Sequence, residues 1–479
     1  MITFIVSVLL LIIGYFTYGK FVEKVFGIKE KRPTPAYTLQ DGVDYVPMDT
    51  KRNSLIQLLN IAGVGPIFGP ILGALYGPVA FLWIVLGSIF AGAVHDYLTG
   101  MISLRNRGAH VPELAGKFLG KGMKHVVNAF TVLLLLLVGT VFVQAPAALI
   151  HNLMEQKVAL SIIVGAIFFY YIIATLLPID KVIGRIYPIF GLLLLISAIG
   201  VGGGLVIQGA PIPELQLTNM HPDNLPIFPL LFLTISCGAL SGFHATQSPI
   251  ISRTTQNEKQ GRLIFYGMMI AEGIIAMIWA AAAMSLFSGN ELNEIIQTGG
   301  PAAVVNEVAV RMLGAIGGTL AVLGVIILPI TSGDTAFRSC RMIIADYFNV
   351  AQKKFRNRLW IAIPLFALSY ALTKMDFSIL WRYFSWANQS TAAIALWIGA
   401  MYLILSKKNY WIAMIPAIFM TTVTLTYIFN AKIGFNLPMG ISYVMAVIGT
   451  VGIIAAFYAA ARKKEKELTS VDDGLDRVA

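Results

Sequence analysis

Apolar stretches separated by short polar connectors run along almost the whole chain. About thirteen of them are long enough to cross the roughly 30 Å hydrocarbon core of a bilayer. Their approximate limits are 2–19, 54–76, 78–104, 124–149, 158–178, 186–208, 226–249, 262–288, 312–337, 357–373, 376–406, 410–429 and 435–461. The run 376–406 is long enough to tilt or to hold a short non-spanning extension. The pattern predicts an all-α polytopic membrane protein.

Two spans are interrupted in the middle by small and helix-breaking residues. The first reads Asn60-Ile61-Ala62-Gly63-Val64-Gly65-Pro66-Ile67-Phe68-Gly69-Pro70, and the second runs from Ser236 through Gly238, Ser241, Gly242 and His244 to Pro249. In hydrocarbon every backbone N–H and C=O needs a partner, so unwound backbone persists only where it lines a cavity or is buried in protein. Matched interruptions in two halves of a chain point to the binding site of a secondary transporter. The competing account is that glycine and proline merely kink membrane helices or let them pack closely.

The interrupted spans are the second and the seventh. Spans two to six and seven to eleven therefore form two units of five helices, and an odd count inverts the second relative to the first. The expected architecture is a leucine-transporter-like 5+5 inverted repeat, with one extra N-terminal helix and two extra C-terminal helices. In residue numbers it divides into an N-terminal helix and loop (1–53), a first repeat (54–208), an inverted second repeat (226–406), two accessory helices (410–461) and a tail (462–479).

Composition agrees with a polytopic membrane protein: 57% of residues are hydrophobic and only 12% charged, with a mean hydropathy of +0.76. The net charge of +11 reports topology rather than nucleic-acid binding. About thirty of the Lys and Arg residues fall in or beside alternate connectors, which the positive-inside rule places in the cytoplasm. The N-terminus is then outside and the C-terminus cytoplasmic. Residues 1–19 lack a basic leading segment and a small-residue cleavage site, so they read as a retained helix. Only Cys237 and Cys340 occur, which gives neither a disulfide framework nor a metal signature.

Several segments, in order over most of the chain, resemble the carbon starvation protein A family. They are Ala62-Gly63-Val64-Gly65-Pro66 with Gly69-Pro70, Gly92-Ala93-Val94-His95-Asp96, Ser241-Gly242-Phe243-His244-Ala245, Thr331-Ser332-Gly333-Asp334-Thr335 with Arg338, and Trp381-Arg382-Tyr383-Phe384 followed by Asn388-Gln389. The resemblance implies an inner-membrane carrier, peptide transporter or pyruvate–proton symporter, linked to the use of scarce carbon sources. Long members of that family run well past this length.

The polar residues of the spans supply the candidate chemistry. At the first break Asn60, Gly63, Gly65 and Gly69 are candidate substrate contacts, because a half-helix N-terminus attracts a carboxylate. Carbonyls near Ala62 and Val64 suit a cation. At the second break Ser241, His244 and Gln247 are the matching substrate candidates, against back-bonding of the hydroxyls to preceding carbonyls.

His95 and Asp96 suit a proton relay or a polar packing anchor, although adjacent helical residues point about 100° apart and need not bond. Thr331, Ser332 and Asp334 are expected at an ion or proton site, the alternative being a helix-end pair of Asp334 with Arg338. Glu272 is a candidate proton carrier or a hydrogen-bonded structural acid. Arg382 either balances charge or snorkels outward. No metal site is expected, because no other His or Cys stands at ligand spacing near His95 and Asp96.

The expected function is import of small carboxylate-bearing nutrients, peptides or pyruvate-like acids, by cation-coupled alternating access. The coupling ion is H⁺ by preference, with Na⁺ open. No other cofactor is expected, and the partners are the substrate and the lipid bilayer. A membrane-embedded enzyme using a His/Asp acid–base centre is the contrasting reading, but the sequence carries no nucleophile motif or nucleotide loop.

Overall fold

A computed structural model describes residues 1–42, 44–176, 195–352 and 354–470. The connector 179–185, the adjoining ends of the fifth and sixth expected spans, and the tail beyond 470 lie outside the described residues. The described residues are helical nearly throughout; their only β feature is an isolated bridge between Met48 and Thr255.

The chain opens with α1 (Ile2–Phe16) and the amphipathic α2 (Tyr18–Phe26), then the short α3 (Pro35–Thr38). Asp49 starts α4 (Thr50–Ala62) by accepting the Lys51 N–H, which satisfies one of the orphan donors of a helix start. After a two-residue break comes α5 (Gly65–Gly73), and the pair is bent by 46°. Then α6 (Val79–Leu86) and α7 (Ala93–Arg105) form one span through a π-helical turn at Gly87–Gly92. The rest of the first half is α8 (Val111–Phe118), α9 (Lys121–Leu153), α10 (Leu160–Leu176) and α11 (Leu195–Ile207).

The second half opens on α12 (Ile227–Thr234) and α13 (Gly242–Ser252), separated by an unwound stretch. A π-turn at Arg262–Gly267 leads into α14 (Met268–Leu286). The long α15 (Gly289–Tyr347) begins with a Ser288–Glu291 capping box and is kinked at Gly300 and Gly314, where the backbone is not helical. Its last piece is the expected ninth span. Next come α16 (Phe355–Leu372), α17 (Phe377–Leu405), α18 (Trp411–Asn430) and α19 (Met439–Ser470).

Eight described helices are long and apolar enough to span a bilayer alone, and the bent α4–α5 pair makes a ninth. The shorter α10 and α11, α16 and the broken α12–α13 stand where the other expected spans fall.

Packing exchanges partners between the halves as an inverted repeat requires. The second half-helix of each broken span lies on the second helix of the other unit: α5 against α14, and α13 against α7. The third helices, α9 and α15, pack against each other. The helix α1 leans on α6 and α14, while α18 packs against α17 and α19. Most of α1 and α19 remains exposed, as lipid-facing peripheral helices are, whereas α17 is almost wholly buried.

At the end that the charge pattern assigns to the cytoplasm, one buried ion pair ties the units together. The Arg105 guanidinium donates from Nε and Nη2 to the two Glu258 oxygens at 2.9 and 2.7 Å, from Nη1 to the Tyr402 hydroxyl, and from Nη2 to the Gly27 carbonyl. It also stacks over the Phe26 ring at 4.2 Å. Removing one partner of such a pair leaves a buried charge uncompensated. Glu258→Gln is therefore expected to cost about 3 kcal/mol, read as a lower thermal transition in detergent, with Arg105→Gln in the same chain recovering part of it. An unchanged transition would mean that the pair is not structurally important.

Candidate functional site

The first break turns on Gly63, whose φ of 32° with ψ of −147° is a conformation that side chains disfavour. The start of α5 is closed locally: the Ile67 and Phe68 N–H groups both donate to the Val64 carbonyl, at 3.1 and 2.8 Å, and Pro66 has no N–H. This half-helix thus offers a carboxylate fewer amide donors than the sequence led us to expect. Asn60, at the end of α4, is buried with neither side-chain amide atom hydrogen-bonded, and Gln57 one turn earlier is in the same condition. Sequence reading missed Gln57, although an amide three residues before Asn60 in an apolar run was the available signal. Ala62 closes α4 and is fully buried.

The second break is held by side chains from both units. Trp83 Nε1 donates to the Ile235 carbonyl at 3.3 Å, and Ser88 Oγ donates to that of Gly238 at 2.8 Å. Asn388 Nδ2 donates to the Ser236 carbonyl at 3.3 Å, while its Oδ1 accepts the Phe243 N–H at 2.7 Å and caps α13. Gln389 Nε2 donates to the Leu240 carbonyl at 3.0 Å. Unwound backbone persists here because polar side chains take the place of helical hydrogen bonds. Asn388 and Gln389 are thus braces of the break.

The two breaks touch. A Cβ added at Gly65 would lie 2.3 Å from Cys237 Cβ, and one at Gly69 would lie 3.1 Å from the Thr234 carbonyl oxygen. Gly238, with φ of 84°, faces Pro66 and Ala276. Gly65 and Gly69 therefore permit close contact between the unwound segments, whatever they also present to a substrate.

Beside the second break lies a chain of ionisable groups from three helices. His95 Nδ1 is 2.8 Å from Asp96 Oδ1 on α7, so these neighbours do bond despite their angular separation. Asp96 Oδ2 is 2.9 Å from His244 Nδ1 on α13, and His244 Nε2 is 3.4 Å from Glu272 Oε2 on α14. All four side chains are fully buried. With Asp96 ionised and both imidazoles neutral, the histidines donate to it from Nδ1, which leaves each Nε2 with a lone pair. Neither Nε2, nor either Glu272 oxygen, has a hydrogen-bond partner.

The remaining candidates are dispersed. Ser241 Oγ donates to Asn388 Oδ1 at 3.2 Å and accepts from Cys237 Sγ at 3.3 Å. Thr246 and Ser248 bond back to the Phe243 and His244 carbonyls, the bland alternative for these hydroxyls. Gln247 donates to Thr246 Oγ1 and keeps a buried Oε1 with no hydrogen bond.

On α15, Ser332 Oγ donates at 2.9 Å to the Leu59 carbonyl, joining this helix to α4 just before its break. Thr331 Oγ1 donates to the Leu328 carbonyl. Asp334 is fully buried, its oxygens make no hydrogen bond, and Arg338 Nη2 stands 3.6 Å away while donating to the Ala174 carbonyl. Arg382 is exposed near the Asp376 end of α17, so the structure does not bring it to Asp96, Glu272 or Asp334.

A family model described as carbon starvation protein CstA matches residues 1–221, 152–311 and 295–427. An uncharacterized membrane protein of Haemophilus influenzae is 48% identical, over 62% of this chain and 95% of that one. A peptide transporter CstA of Bacillus subtilis is 25% identical over 94% and 95%, and a pyruvate/proton symporter BtsT of Escherichia coli is 26% identical over 60% and 49%. Among solved structures, a manganese transporter of Eremococcus coleocola superposes with a TM-score of 0.56 at 12% identity, covering 88% of this chain and 97% of that one. That likeness shows a shared fold.

Proposed function

The chain belongs to the carbon starvation protein CstA family, and on that premise we propose that it is a secondary transporter of small carboxylate-bearing nutrients, peptides or pyruvate-like acids. The observation that carries this reading is the meeting of the two unwound segments in the middle of the bundle, Gly65 against Cys237 and Pro66 against Gly238. Buried amides without partners, Gln57, Asn60 and the Gln247 Oε1, stand on the half-helices that flank the breaks. Polar groups left unsatisfied in a protein interior are costly unless a ligand or water completes them. Substrate amides and carboxylates have the chemistry to do so.

In this reading Asp334 is the site of coupling to a cation. Its carboxylate is buried and only loosely paired with Arg338, beside the Ser332–Leu59 link to the first broken span. A proton arriving there would release Arg338 from Asp334, and a change at α15 would pass to α4 through Ser332. H⁺ is the favoured ion, supported by the name of the pyruvate/proton symporter relative. The names of the relatives favour a carrier over an enzyme.

The test is uptake of labelled pyruvate and of a dipeptide panel into sealed liposomes carrying the purified chain. Parallel runs impose an inward proton gradient, an inward sodium gradient or neither. Accumulation under the proton gradient alone is the expected result. Accumulation driven only by sodium would overturn the ion assignment, and no uptake by folded protein would overturn the substrate class.

A further inference from the structure

The chain His95–Asp96–His244–Glu272 has no part in the coupling proposed at Asp334, yet it puts two carboxylates into the buried interior. Asp96 and Glu272 are fully buried acids whose ion pairs, among the described residues, are to histidines alone. No Lys or Arg takes part in those pairs. Buried carboxylates persist when they are paired or coordinate a metal.

Cys237, His244 and Glu272 each offer one ligand atom, and these three atoms lie within 4.8 Å of one another. Around a tetrahedral ion with bonds of 2.0–2.3 Å, two ligand atoms stand about 3.4 Å apart. The 3.4 Å between His244 Nε2 and Glu272 Oε2 matches that separation. The pair makes no hydrogen bond even though both groups are buried and close.

Asp96 supplies the second independent feature. Its Oδ2 holds His244 Nδ1 at 2.9 Å, which fixes the ring and directs the free Nε2 lone pair toward Glu272. Carboxylate–histidine–metal triads use the same arrangement to orient a ligating imidazole. Ser241 and Asn388 brace the third donor, with Cys237 Sγ 3.3 Å from Ser241 Oγ and 3.8 Å from Asn388 Nδ2.

We propose that Cys237, His244 and Glu272 bind a divalent transition-metal ion, with Asp96 orienting His244. One sulfur, one nitrogen and one oxygen donor select a borderline ion of the Zn²⁺, Co²⁺ or Fe²⁺ class over Na⁺, Mg²⁺ or Ca²⁺. Three protein ligands leave a fourth position open. The ion would pin the unwound segment carrying Cys237 to α14, at the place where that segment meets Gly65 of the other unit. This inference rests on the transporter reading for its consequence but not for its ligands. Sequence spacing hid the site because its ligands lie on an unwound segment, a half-helix and the next span.

The test titrates the purified full chain, stripped with chelator and held in detergent, with Co²⁺ as the probe. One Co²⁺ per chain is expected, with a sulfur-to-cobalt charge-transfer band and four-coordinate visible bands, both displaced by Zn²⁺. Cys237→Ser should remove the charge-transfer band, and Cys340→Ser should leave it unchanged. His244→Gln or Glu272→Gln should weaken binding at least tenfold, and Asp96→Asn by about tenfold to a hundredfold. Should a variant fail to elute as a monodisperse species, X-ray absorption at the cobalt edge of the wild-type protein gives the ligand set directly. No bound cobalt, or bound cobalt without a sulfur neighbour, overturns the proposal. Ion-driven uptake by a chain that binds no metal would sink this inference alone, whereas a metal-binding chain that moves no substrate would sink the transporter reading alone.

Discussion

Asp334→Asn is expected to abolish ion-driven accumulation while leaving exchange of substrate across the liposome membrane in place. The carboxylate is fully buried, makes no hydrogen bond, and has Arg338 at 3.6 Å as its ion partner. Asn keeps the shape and loses both the charge and the ability to take up a proton. A one-to-one proton symporter concentrates substrate about tenfold for each unit of pH difference, because one unit is worth about 1.4 kcal/mol. The variant should bring that ratio to about one in net uptake, while counterflow of preloaded unlabelled substrate continues. Undiminished accumulation would show that coupling lies elsewhere. Loss of both uptake and counterflow in a folded variant would make Asp334 part of the substrate path instead. Arg338→Gln separates a structural effect from a coupling effect, since it removes the partner and keeps the titratable acid.

The breaks were legible because backbone chemistry wrote them into the sequence. Gly63 and Gly238 sit at positive φ, and Pro66 withholds an N–H at the point where α5 restarts, so these residue types are required wherever a span unwinds. The odd spacing between the breaks then predicted an inverted repeat, and the exchange of α5 and α13 between α14 and α7 has that form. What the sequence did not reveal is which distant residues the inversion brings together. Asp96 and His244 meet only because α13 crosses to α7, and no local periodicity encodes that crossing.

Side-chain reach was equally hidden. His95 and Asp96 point apart at their Cα atoms yet meet at 2.8 Å through their rotamers. Asn388 and Gln389 share a motif with Arg382, but nearly two turns of α17 separate the buried braces from an exposed charge. The glycines of the first break read as substrate contacts, and their steric role appeared only once the second break was seen against them.

That steric role makes Gly65 a sensitive position at the crossing of the two breaks. A Cβ placed there lies 2.3 Å from Cys237 Cβ and 2.4 Å from its Sγ. A Cβ cannot swing aside as the tip of a long side chain can, so one of the two unwound backbones must move. Overpacking of this kind costs about 1–3 kcal/mol even where a core can adjust, and here the displaced backbone is braced by Ser88, Asn388 and Gln389. Gly65→Val is expected to reduce uptake to that of empty liposomes and to lower the thermal transition in detergent. Gly65→Ala should fall between Val and wild type. Adding Cys237→Gly to Gly65→Ala removes the opposing Cβ, so the double variant should recover about 1–3 kcal/mol of the stability lost by Gly65→Ala. Recovery is read as the thermal transition, because Cys237 is also a proposed metal ligand and uptake would mix the two effects. Normal turnover in Gly65→Val would mean that the unwound segments are not in contact in the working protein. A double variant no more stable than Gly65→Ala would mean that the strain is absorbed elsewhere than at Cys237. Because the contact joins the two repeats at their breaks, relief by a residue in the opposite repeat is the outcome that ties the strain to that crossing.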